Sequence, residues 1–243
     1  VENLIRQNWE GGLVEVDDPL LNVWVGALQN QKDWSNILNL YKELQRKESN
    51  KFESVSDLIW QAEANDSLNR PKEAITFYER AVEKMSVGDD RFATISNRLA
   101  VLYENGNDYQ KQMKIYEDLY AQEQSPKFRQ QYALKAGLIG LDKLQNKKLA
   151  SEWLQRADSG GVKDTDLRAS MLLIDIDRKN KDLDSALNRL KDLEKRFVPS
   201  NSNYFWQVPF QLGVLHQNRK EWSASRPYLE QVANQQQDTE LAE

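Results

Sequence analysis

The stretch from Ala93 to Tyr120, ATISNRLAVLYENGNDYQKQMKIYEDLY, constrains this chain most, because it reads as two helices with a break between them. Leu99, Ala100 and Tyr103 share one face of a first helix, and Gly106-Asn107-Asp108 interrupts it. Tyr109, Gln112, Tyr116 and Leu119 then recur at helical spacing on one face of a second. A unit of this kind buries its apolar face only against another unit, so the pattern has to be restated along the chain.

It is restated. Apolar residues recur at one spacing in the second helices of the candidate hairpins. Small residues flank a large one in Ala74, Tyr78 and Ala81 and in Ala150, Leu154 and Ala157, and larger ones take the small places in Ile37, Tyr41 and Leu44 and in part in Ala186, Leu190 and Leu193. Pro71 opens one of these helices, in the first turn where proline is tolerated. The last hairpin carries Leu212-Gly213, His216, Leu229 and Val232. Set on a common ruler, the units start at Asp18, Val55, Ala93, Gln131, Leu167 and near Trp206. Polar stretches such as SVGDD, EQSPK, SGGVKD and VPSNSN fall between them as turns.

These residues resemble the tetratricopeptide-repeat family over nearly the whole chain, most specifically from Val55 to about Pro126. The first and fifth units are degenerate, with Trp24-Val25 and Leu173-Ile174 where a small residue is usual. The resemblance implies an all-α chain, a right-handed superhelical solenoid of five to six repeats. Expected boundaries are a lead-in or capping segment over 1–17, the solenoid over 18–236 and a polar tail over 237–243. In the lead-in, Leu4, Ile5 and Trp9 share a side and Gly11-Gly12 ends it, before Asp17-Asp18-Pro19 caps the next helix. The segment from Lys195 to Val232 is also similar, in turn composition, to the last repeats of bacterial envelope tetratricopeptide proteins.

Composition excludes several classes. With 38 acidic against 33 basic side chains, the net charge of -5 argues against general nucleic-acid binding, which needs phosphates neutralised. No apolar run is long enough to span a bilayer, and zero cysteines exclude disulfides and thiolate sites. The chain opens on Val1 with no leader-like segment, the expectation for a piece excised from a longer protein. The single histidine, His216, stands where the repeat usually has an aromatic, so it reads as packing rather than catalysis. Phosphate loops, zinc-protease motifs and calcium loops are missing, and Asp175, Asp177, Asp89 and Asp90 read as solvated or capping carboxylates. No cofactor and no metal is expected.

The family resemblance carries function to the concave face, lined by positions 2, 5, 6, 9 and 12 of each first helix. Carried over by position, these are Ile59, Trp60 and Glu63; Asn97, Arg98, Val101 and Glu104; Tyr132, Lys135, Ile139 and Asp142. The fifth unit adds Arg168, Met171, Leu172, Asp175 and Arg178, and the sixth Phe210, Gln211 and Val214. The site residues expected to bind a partner are Trp60, Asn97, Arg98, Tyr132, Lys135, Arg168, Met171, Arg178 and Phe210. From Arg98 to Arg178 they form a positive, partly apolar strip suited to an acidic peptide with an apolar anchor. Lys135 is followed by Ile139 rather than Asn, and Asn97 by Val101, which removes the pattern of the carboxylate clamp. Tyr204-Phe205-Trp206 with Phe210 reads as a staple at a helix start or a stacking platform. Trp34, Tyr109 and Trp222 recur at one ruler position and are expected to be structural.

The sequence therefore points to a non-catalytic scaffold that binds a protein or peptide, not nucleic acid, and does not itself enter a membrane. A bacterial envelope setting, periplasmic or membrane-anchored, follows from the second likeness. An architectural spacer that oligomerises and an accessory to exopolysaccharide export stand as alternatives.

Overall fold

The computed structural model describes residues 7, 18–47, 52–158, 163–197 and 206–240. They form twelve α-helices: α1 Asp18–Asn30, α2 Trp34–Lys47, α3 Val55–Ser67, α4 Pro71–Lys84, α5 Phe92–Asn105, α6 Tyr109–Gln122, α7 Pro126–Leu138, α8 Lys147–Asp158, α9 Lys163–Lys179, α10 Leu183–Phe197, α11 Gln207–Asn218 and α12 Trp222–Glu240. No strand occurs among the described residues. The lead-in expected over 1–17 lies outside them except for Gln7, and so do Tyr204, Phe205 and the turn 198–203. Helix α12 runs to Glu240, past the boundary expected at 236; 241–243 lie outside the described residues.

Each helix pair closes through the same turn. Lys32, Asn69, Asn107, Gln145, Lys181 and Lys220 all take a left-handed backbone, φ from 51° to 63°, at intervals of 36 to 39 residues. In five of the six, the next amide reaches back five residues, as Asp33 does to the Leu28 carbonyl and Asp108 to that of Tyr103. These are the last carbonyls of the first helix, which its own ladder cannot satisfy. The following residue caps the second helix: the carboxylates of Asp33, Asp108 and Asp182 and the amide oxygen of Asn146 accept from backbone amides three residues on. Gly106 itself is right-handed, and the turn conformation belongs to Asn107.

The chain divides into two compact units, Val1–Ile115 and Tyr116–Glu243. In the first, α1 to α5 pack in sequence, each on the next. Trp24, Val25 and Leu28 of α1 join Ile37, Tyr41 and Leu44 of α2 in one core, so the bulky residues of the degenerate first repeat are buried. Ala62, Ala74, Ala81 and Ala100 are fully buried, which sets how near the helices lie. A polar ladder sits on α3 in the same unit. Tyr41 donates to the Asp57 carboxylate at 2.9 Å, Gln61 to the Asp57 carbonyl and Asn65 to the Gln61 carbonyl. Ser54 and Asp57 cap α3 reciprocally.

In the second unit, α7 to α12 pack in sequence and α7 also touches α9. Its helices approach most closely at glycine. A Cβ on Gly137 would stand 2.8 Å from Leu154, and one on Gly213 would stand 2.5 Å from Leu229. Beside Gly213, the buried Ser225 hydroxyl donates to its carbonyl at 2.8 Å. Leu173 and Ile174, the bulky pair of the fifth repeat, are 1% exposed. Gln130 donates both to the Ala157 carbonyl and to the buried Asp166 carboxylate, tying α7, α8 and α9 together. After α7 the helix widens into a π-turn, Ile139–Lys143, where the Leu144 amide bonds to the Ile139 carbonyl five residues back.

Candidate partner-binding site

The π-turn decides what the fourth hairpin presents. It inserts one residue between the first and second helices, so Ala150, Leu154 and Ala157 are in register with a start at Gln131 but α7 is in register with Gln130. One residue turns a helix face by about 100°. On the corrected register, positions 2, 5, 6 and 9 are Gln131, Leu134, Lys135 and Leu138, and these four line an open cleft of about 650 Å³. Its other wall is Asp164, Thr165, Leu167, Arg168 and Met171 of α9, with Gln207 of α11 at one end.

The floor of this cleft is apolar and its rim is cationic. The Lys135 ammonium lies 4.9 Å from the centre of the Tyr116 ring and 6.0 Å from that of Tyr132. These two rings are themselves stacked, 6.3 Å apart. An ammonium held over aromatic faces is positioned without being neutralised. Arg168 is exposed and has no ion pair among the described residues. Asp164 is the one carboxylate of the lining. Two cations so placed attract an anionic group over a surface that buries apolar side chains.

The site residues expected from sequence thus separate. Lys135, Arg168 and Met171 meet in the cleft. Tyr132 is buried beneath Lys135 rather than in the lining. Arg178 donates to Gln211 at 2.8 Å, and Phe210, 40% exposed, meets Trp206 edge-on at 6.3 Å. Leu134, Leu138 and Thr165 were hidden from sequence by the one-residue slip and by the early start of α9.

In the first unit, Arg98 forms two hydrogen bonds to Asp66, one of them at 2.7 Å, and this pairing raises its pKa. It is not a free cation. Asn97 donates to the Ala93 carbonyl in its own helix. Trp60 packs half-buried against the core and lines a pocket of about 350 Å³ with Gln29, Ser56, Ile59, Glu63, Thr94 and Ile95. An adjoining pocket of about 450 Å³ shares Gln29, Glu63, Thr94 and Ile95.

His216 is buried, stacked on Tyr228 at 5.8 Å, with Nδ1 2.6 Å from the Glu221 carboxylate. It joins α11 to the start of α12. Trp34 is half-buried against the first core, whereas Trp222 is 64% exposed, so the expectation of a packed residue does not extend to it. No group of three or more His, Cys, Asp or Glu that could hold a metal occurs among the described residues. No helix among them is long and apolar enough to cross a membrane.

Solved structures similar to this chain share its fold at low identity. RapI, in its apo form, is 12% identical over 95% of this chain and 68% of that one, with a TM-score of 0.53. BtubC (BKLC) from P. vanneervenii is 14% identical over 88% and 92%, with a TM-score of 0.50. YrrB, described as a TPR protein with an unusual peptide-binding site, is 20% identical over 83% and 95%, with a TM-score of 0.48. No family model and no curated protein matches the sequence. Tetratricopeptide-repeat proteins stand among the solved structures similar to this chain, and each of its two units is built of α-helical hairpins packed in sequence.

Proposed function

We propose that this chain is a non-catalytic scaffold that holds a segment of another protein in the cleft between α7 and α9. The observation that carries this reading is the pairing of two uncommitted cations, Lys135 and Arg168, with an apolar floor of Leu134, Leu138, Leu167 and Met171. The segment it fits has an apolar anchor flanked by Asp or Glu. Charge steers such a segment in, and burial of its anchor holds it there. An envelope setting is part of the same proposal and rests only on the turn composition near the C-terminal hairpin. Fractionation of the source cell would test it.

The cleft is tested with pooled heptapeptides bearing a central Leu or Phe between two Glu residues, against pools with Gln in place of Glu. The chain should retain the Glu pools preferentially, and the preference should weaken with salt. Arg168→Glu should slow association, and Met171→Ala should mainly speed dissociation. Equal retention of Glu and Gln pools would refute the proposal.

A further inference from the structure

The lining of the first unit's pockets has an electrostatic imbalance of the opposite sign. Its walls come from Gln29 of α1, Ser56, Ile59, Trp60, Glu63 and Asp66 of α3, and Thr94, Ile95 and Arg98 of α5. Both arginines that reach it are committed. Arg98 is bonded to Asp66, and Arg91 holds Asp89 at 2.7 and 2.9 Å and Ser56 at 3.0 Å. Glu63 pairs with no cation of the described residues. Among the described residues its one hydrogen bond comes from the Gln29 amide, at 3.3 Å, which satisfies an oxygen without neutralising the charge. A carboxylate lodged in this way, half out of water and one turn from Asp66, is unfavourable unless something positive arrives.

We infer that this pocket is a seat for an arginine or lysine side chain of a partner polypeptide, its cationic head on Glu63 and its stem along Ile59, Trp60 and Ile95. Long basic side chains bury their methylenes while the head finds an anion, and the apolar wall beside Glu63 supplies that surface. Trp60 adds an aromatic ring at the same wall, a surface to which cations are drawn. The charge pattern selects this occupant. An acidic segment would meet Glu63, Asp66 and Asp90, with no uncommitted cation to receive it. Burial already raises the Glu63 pKa, with Asp66 adding to the effect. A docked cation reverses that shift, so binding expels a proton near the Glu63 titration and weakens as the pH falls through it. The other ionisable groups of the lining are Asp66 on α3, Tyr78 on α4, Arg98 on α5, and Asp90 and Arg91 before α5. The inference stands whether or not the cleft of the second unit binds.

The test uses the intact chain and blocked heptapeptide pools with a central arginine, against pools with citrulline, which has nearly the same shape and no charge. The arginine pools should be retained about tenfold to a hundredfold better at neutral pH, the range for a hydrogen bond to a charged group. Glu63→Gln should abolish that preference, while Arg168→Glu, which disables the other cleft, should leave it intact. Equal retention of the two pools, including no retention of either, overturns the inference. So does a Glu63→Gln chain that still prefers arginine. As a second reading, the Glu63 carboxyl resonance should titrate at lower pH in the presence of the arginine pool, and an unmoved midpoint is equally fatal.

Discussion

Replacing Gly213 with alanine adds one methyl where α11 and α12 are closest. The new carbon would stand 2.5 Å from Leu229 Cδ2 and 2.7 Å from its Cγ, against about 3.5–4.0 Å for carbons at rest. Overpacking by one such group costs about 1–3 kcal/mol. Alanine is favoured over glycine inside a helix by about 1 kcal/mol, so the net loss is roughly 1 kcal/mol. The Ser225 hydroxyl bond to the Gly213 carbonyl resists the helices simply moving apart. The sign should reverse when the obstructing side chain is gone. In a Leu229→Ala background, Gly213→Ala should stabilise by about 1 kcal/mol, a coupling of roughly 2 kcal/mol between the two sites. Stacked hairpins do not unfold as one cooperative block, so the readout is native-state hydrogen exchange of the α11 and α12 amides. If Gly213→Ala has the same sign and size in both backgrounds, the steric argument is wrong.

Three further outcomes follow from the same packing and charge. Ala81 is fully buried, and Ala81→Leu should lower stability by about 1–3 kcal/mol in a denaturant titration. Gln130→Leu should cost about 1–3 kcal/mol by removing the amide that donates to the buried Asp166 carboxylate and the Ala157 carbonyl, read as faster exchange in α7 and α8. Burial, with Asp66 adding to it, raises the folded Glu63 pKa above the ordinary carboxylate value, so the folded chain binds the proton more tightly than the unfolded one. The destabilising contribution is then absent well below that value and fully present above the folded pKa. Glu63→Gln should therefore raise the melting temperature at neutral pH and leave it nearly unchanged near pH 3.

The hairpins were legible because their signal is local. Small residues at fixed spacing on the second helices, such as Ala74 and Ala81 or Ala150 and Ala157, are all buried where one helix crosses another. What the sequence concealed was a register. Nothing in the residues Ile139 to Lys143 announces a π-turn, whose cause is the accommodation of one extra residue between two faces already fixed by packing. That insertion moved Tyr132 out of the cleft lining and Leu134 into it. Pairing was equally invisible. Arg98 and Asp66 are 32 residues apart, and only the folded chain shows that one cancels the other. Trp222 matches Trp34 in position but not in burial, since a ruler marks a place on a helix and not what covers it.

The left-handed turns have a consequence for how this chain comes apart. Asparagine adopts that backbone readily, and Asn69 and Asn107 close two of the hairpins of the first unit. Lys32, Gln145, Lys181 and Lys220 do so at a cost of about 1–2 kcal/mol each, because their Cβ crowds the carbonyl that follows. The three lysines are also exposed, at the tips of their hairpins. Brief trypsin digestion under native conditions should accordingly nick first after Lys32, Lys181 and Lys220. The segment that spans the two asparagine turns would persist longest, a clock of fragments whose lengths count whole hairpins.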